Sequence, residues 1–194
     1  MSSVYGMTMA VANERWYGTL GPLLASPANR AAVFLGRGVP VLANGLIVSA
    51  FTFGAGALFL GFRPGLDALP ALAAIVVVTV ASCTCFGMLL GSIGLRAKDF
   101  FFAANLAYFL MLLFCGVNIP LSQLPGWMSL VGRCLPLTHG IAAAREVASG
   151  ASLGHVGGLV ATEAAIAIAY AVAAFGLFRL LERESRRTAV LDAY

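Results

Sequence analysis

Charge is what this chain has least of. Asp, Glu, Lys and Arg supply 10% of 194 residues, against 60% hydrophobic, which leaves too little polar surface for a water-facing globule. Residues 38–62 hold no charge over 25 positions, 68–95 none over 28, 100–132 none over 33, and 157–178 a single one, Glu163. Histidine is equally scarce. His139 and His155 have no carboxylate at ligand spacing on a shared helix, which argues against a metal site. The four cysteines lack the paired spacing of a zinc site, and Cys83, Cys85 and Cys115 fall inside apolar runs, where small thiols pack between helices. A disulfide to Cys134 requires that it and Cys115 both lie near the outer face. Ser152 and His155 stand three apart with no nucleophile elbow and no orienting carboxylate, so a serine hydrolase is disfavoured. No GxxxxGK[ST] sequence occurs. Any nucleotide energy must therefore come from another polypeptide.

What is present is hydrophobic length. A helix crosses a bilayer core of about 30 Å with roughly 20 apolar residues, so 38–62, 68–95, 100–118 and 157–178 are each expected to span. The chain reads as one integral membrane domain over 1–194, all-α, with about four full transmembrane helices. Its basic residues alternate between the breaks. Arg15, Arg30, Arg37, Arg96, Lys98, Arg179, Arg183, Arg186 and Arg187 fall on one side, and Arg63, Arg133 and Arg145 on the other. The positive-inside rule places the first set, and with it both termini and the tail 179–194, in the cytoplasm. Basic residues scattered in this way form no stripe for nucleic acid.

Two segments depart from the spanning pattern. Residues 14–37 interleave apolar and polar side chains: as a helix, Trp16, Leu20, Leu23 and Leu24 share one side, while Pro22 and Pro27 prevent one continuous rod. A short amphipathic helix on the cytoplasmic surface, turning near Ser26-Pro27, is expected. Residues 119–150 are apolar yet broken by Pro120, Pro125 and Pro136 and carry Arg133, His139, Arg145 and Glu146. They are expected to form two short helices that dip into the outer leaflet without crossing. Residues 1–12 are too short to span, and either lie on the surface or end a transmembrane helix. Gly87 and Gly91 give a small-xxx-small pair able to bring two helices close. Glu163 is the lone ionisable group of the last span, and either contacts substrate or protons, reaches outward, or pairs with an arginine.

Glu14-Arg15-Trp16-Tyr17-Gly18-Thr19-Leu20, then Leu23-Leu24-Ala25-Ser26-Pro27 and Gly36-Arg37, resembles the cytoplasmic coupling segment of ABC exporter permeases of the type-2 family. Asn118-Ile119-Pro120-Leu121-Ser122-Gln123-Leu124-Pro125, with Leu135-Pro136-Leu137-Thr138-His139-Gly140 and Arg145, is similar to that family's outer-leaflet re-entrant region. The resemblance implies a six-helix permease of the drug-resistance and polysaccharide-exporter kind. Such a permease forms a homodimer or heterodimer and pairs with ATP-binding-cassette ATPase subunits that hold ATP and Mg, while the permease itself binds no cofactor and is not an enzyme. It further implies an ATPase dock at Glu14, Arg15, Trp16, Gly18, Thr19, Leu20, Leu23, Leu24 and Pro27. Asn118, Pro120, Gln123, Arg145 and Glu163 become candidates for the substrate path or its gate. Gly21 stands where the family usually has Glu, and 1–12 corresponds to the end of the family's second helix, so a shortened permease or a non-transporting membrane assembly protein is the alternative expectation.

Overall fold

A computed structural model of the chain describes residues 2–16, 30–59, 61, 65, 68–94 and 100–189, with side chains described over 2–10, 36–59, 68–93, 104–152 and 154–180. The described residues form helices and turns. They are α1 (Ser2–Trp16), α2 (Arg30–Phe59), α3 (Leu69–Gly94), α4 (Phe100–Phe114), α5 (Gly126–Cys134), α6 (Thr138–Ala148) and α7 (Leu153–Ala189), with a 3-10 turn at Leu121–Gln123 before α5. A lipid core offers no water to unpaired backbone groups, so even the β-branched run Val76, Val77, Val78, Thr79 and Val80 is helical within α3.

Among the described residues, three helices are long and apolar enough to cross a membrane: Gly36–Phe59 of α2, Leu69–Ile93 of α3 and Gly154–Leu180 of α7. The run expected as a further full span, 100–118, is helical over the 15 residues of α4, about 22 Å at 1.5 Å per residue. There the helix gives way to bends through Gly116 and on to Pro120. α2 begins eight residues before its expected span, so 30–37 of the expected coupling segment are continuous with the membrane helix. The last helix likewise runs through the expected span into the charged tail, to Ala189.

α3 is the centre of the bundle. Of its apolar window 44% is buried, against 6% for α2 and 11% for α7, because α1, α7, α2 and α6 all pack on it. α7 and α1 make its two most extensive contacts. On the α1 side the small-xxx-small glycine has a direct role: a Cβ on Gly87 would lie 2.6 Å from the Val4 carbonyl oxygen, so only glycine lets the two backbones approach this closely. The Thr8 hydroxyl spans the same crossing, donating to Val4 O at 2.6 Å and reaching Gly87 O at 3.1 Å. Arg37 of α2 donates from Nη1 to Ala10 O at 3.3 Å. Residues 2–10 therefore do not lie loose on a surface. Val4 and Met7 are buried, Val4 with Cys83, Met111 and Cys115 and Met7 against Val41, Met88 and Phe178. A separate cluster joins Ala71, Leu72 and Ile75 of α3 to Ala143 and Val147 of α6 and Val156 of α7. It seats α6 on the spanning helices.

Candidate functional site

The hairpin of α5 and α6 is built from pieces too short to cross. Nine and 11 residues make rods of about 13 and 16 Å, roughly half the apolar thickness of a bilayer. Between them Cys134, Leu135, Pro136 and Leu137 form an elbow, with Leu137 in the left-handed region at φ 81°. Left-handed backbone is unfavourable for a leucine and persists where surrounding contacts hold it. Those contacts come from α7, from Cys115 just beyond α4 and from α6 itself. Tyr170 of α7 donates its hydroxyl to Cys134 O at 2.9 Å, and the Cys115 thiol donates to Pro136 O at 3.3 Å. Thr138 Oγ1 donates to Gly132 O at 2.7 Å, closing the elbow on itself. Phe86 of α3 meets the Tyr170 ring edge-on at 4.9 Å between centroids.

Glu163 supplies the remaining contacts. It sits on α7 at 1% exposure, among the most buried side chains of the molecule. Its Oε1 accepts the Leu137 backbone N–H at 2.8 Å and its Oε2 the Gly140 N–H at a longer 3.3 Å. Leu137 is the N-cap of α6 and has no side-chain oxygen to offer, so the first-turn amides are met by a carboxylate from another helix. Burying a carboxylate in an apolar bundle is costly, and the amides and positive end of α6 offset that cost. The expectations that Glu163 reaches outward or pairs with arginine are corrected accordingly: its partners are backbone N–H groups, and no arginine among the described residues pairs with it.

The other gate candidates gather at the opposite end of α6. Arg145 is exposed and donates from Nη2 to Val117 O at 3.1 Å, tying α6 to the turn that carries Asn118. Asn118 and Pro120 are exposed in that turn, and Gln123 closes the 3-10 turn with its N–H on Pro120 O at 3.0 Å. Glu163 is thus separated from this group by two turns of α6. Of the expected dock, Glu14, Arg15 and Trp16 are the last residues of α1. Gly18, Thr19, Leu20, Leu23, Leu24 and Pro27 lie outside the described residues.

Beside the elbow, a half-open, mainly apolar groove of about 250 Å³ lies between α1, α2, α3 and α6. Ser3, Val48, Thr79, Cys83, Gly140 and Ile141 are among its lining residues. Glu163 is not. Cys83 and Cys115 are buried, Cys85 is half-buried and Cys134 exposed, and all four thiols are free. His139 Nε2 lies 3.0 Å from Arg133 O, and the described residues contain no cluster of metal-ligating side chains. Reading the sequence missed Tyr170 and Gly140. Tyr170 lies seven residues after Glu163, hence on the same helix face, a usable signal. A backbone amide has no such mark.

No curated protein and no solved structure matches the chain. The model of the ABC-2 type transporter family does, over residues 1–148. That stretch takes in α1 to α6, including the central helix α3 and the whole hairpin. With three apolar helices able to cross a membrane and a matched region covering about three quarters of its length, the chain belongs to the ABC-2 type transporter family, as a membrane-embedded permease component.

Proposed function

We propose that the chain is the permease subunit of an ATP-binding-cassette exporter, moving a drug-like, lipid-like or glycan substrate out of the cytoplasm across the plasma membrane. The observation that carries this reading is the family match over 1–148, which contains both the coupling-segment sequence and the hairpin. Permeases of this family work with an ATPase partner, and ATP and Mg belong on that partner. Glu14, Arg15, Trp16, Gly18, Thr19, Leu20, Leu23, Leu24 and Pro27 form its dock, the charged C-terminal tail faces the cytoplasm, and two permeases enclose the path. The absence of a phosphate-loop sequence in the 194 residues supports this division of labour.

The permease performs no covalent step. Closure of the ATPase pair on nucleotide pushes the coupling segment, and because 30–37 belong to α2, the push is delivered to a spanning helix. Substrate leaves because it is held less tightly in the outward-facing conformation than in the inward-facing one. Asn118, Pro120, Gln123 and Arg145 stand at the mouth of that path, and the hairpin forms its outer rim.

The test is co-purification from native membranes. A chain with Trp16, Leu20, Leu23 and Leu24 all changed to Ser is expected to retain at most about a tenth of the ATPase subunit held by the unaltered chain, since large apolar side chains dominate such interfaces. Equal recovery of a subunit carrying a phosphate-loop motif would remove the dock.

A further inference from the structure

The elbow between α5 and α6 is fastened chiefly from α7, and the fastening reaches the groove. Gly140, whose N–H is held by Glu163 Oε2, is also where α6 presses on α3: a Cβ at Gly140 would collide with the Thr79 side chain. Gly140, Leu137, Ile141 and Ala144 form the α6 wall of the groove, and Cys83 lies on its α3 wall. The carboxylate that caps α6 therefore stands behind the groove wall and outside the groove itself.

We infer that Glu163 is a positioning residue: by accepting the Leu137 and Gly140 N–H groups it locks the start of α6 to α7, sets the groove wall, and makes the hairpin and the last helix one body. Side-chain chemistry makes this role specific. Two amides need two acceptor oxygens at this reach. Gln has the same shape but one acceptor, so its NH2 would face an amide donor to donor. Asp keeps both oxygens and falls a methylene short. Tyr170, seven residues along the same face, holds the Cys134 carbonyl, so the two ends of the elbow hang from one side of α7. Once α6 is unlocked, what it covers is exposed. That includes Cys115, 0% exposed with its thiol on Pro136 O, and Cys83, 2% exposed in the groove.

The two buried thiols make the inference measurable without nucleotide, partner or substrate, so its failure would leave the transport reading standing. In a chain with Cys85 and Cys134 changed to Ala, the rates at which N-ethylmaleimide modifies Cys83 and Cys115 in membranes are followed by peptide mass spectrometry. Glu163→Gln is expected to raise both rates about tenfold, the scale on which one hydrogen bond to a charged group shifts a local opening. Equal rates in Glu163→Gln and its parent, at either thiol, would overturn the inference, because a role in packing alone is met by the isosteric side chain. Should Glu163→Gln fail to insert, amide exchange in the unaltered chain decides. The Gly140 amide, third in α6, is expected to exchange at least about tenfold more slowly than the Met128 amide, third in α5, where Pro125 provides no side-chain cap. Equal exchange would show that the carboxylate does not hold α6.

Discussion

Single atoms decide how closely this bundle packs. At the α1–α3 crossing, Gly87 and the Thr8 hydroxyl both join the helices, but they do not contribute equally. An interhelical hydrogen bond in a membrane averages about 0.6 kcal/mol, whereas forcing a side chain into a full space costs about 1–3 kcal/mol. Gly87→Leu is therefore expected to lower the thermal midpoint of the detergent-purified protein well below that of Thr8→Val, which loses the bond to Gly87 O and keeps the volume. The reverse order would mean that the hydroxyl, not the close approach, holds α1. The small-xxx-small pair at Gly87 was legible in the sequence, but its partner was not, since the pattern says that a helix comes near without saying which one. Glu163 is a similar case. Its place in the last apolar run was plain, yet its partners are backbone amides created by the elbow, and no residue type announces them.

Among the elements, α3 and α5 are opposites. α3 is surrounded, with Ala71, Leu72, Ile75, Val80 and Cys83 buried along it, whereas α5 buries Gly132 alone and presents Trp127, Leu130 and Val131 outward. Opening free energies should follow. In lipid nanodiscs the amides of α3 are expected to exchange at least about a hundredfold more slowly than those of α5; comparable rates would contradict the packing described. The elements were legible in different degrees. Long charge-free runs marked α2, α3 and α7 because lipid imposes a minimum length, and the prolines marked the hairpin. The early end of α4 was harder to see, since apolar residues continue to Ile119 and hydropathy is blind to the bend at Gly116, φ +73°. The cytoplasmic segment could be read only as an amphipathic pattern and by resemblance, and residues 17–29 are not among those the structure describes.

As a whole, the molecule turns an apolar exterior to its surroundings. Ile47, Phe51, Leu58 and Phe59 of α2 are each more than half exposed, as are Ile168 and Val172 of α7, which in water would be an aggregating surface and in lipid is a solvated one. The account depends on which side of that lipid each end of the fold occupies: the Trp-bearing segment inside with the ATPase, and the turn of Asn118 at the far end of α6 outside. Labelling of intact cells with a membrane-impermeant maleimide, comparing a chain whose sole cysteine comes from Asn118→Cys with one whose sole cysteine comes from Ser26→Cys, tests this directly. The cysteine at position 118 is expected to label in intact cells, and the cysteine at position 26 only after the membrane is permeabilised. Labelling at position 26 in intact cells, or at position 118 only in permeabilised ones, would contradict the account.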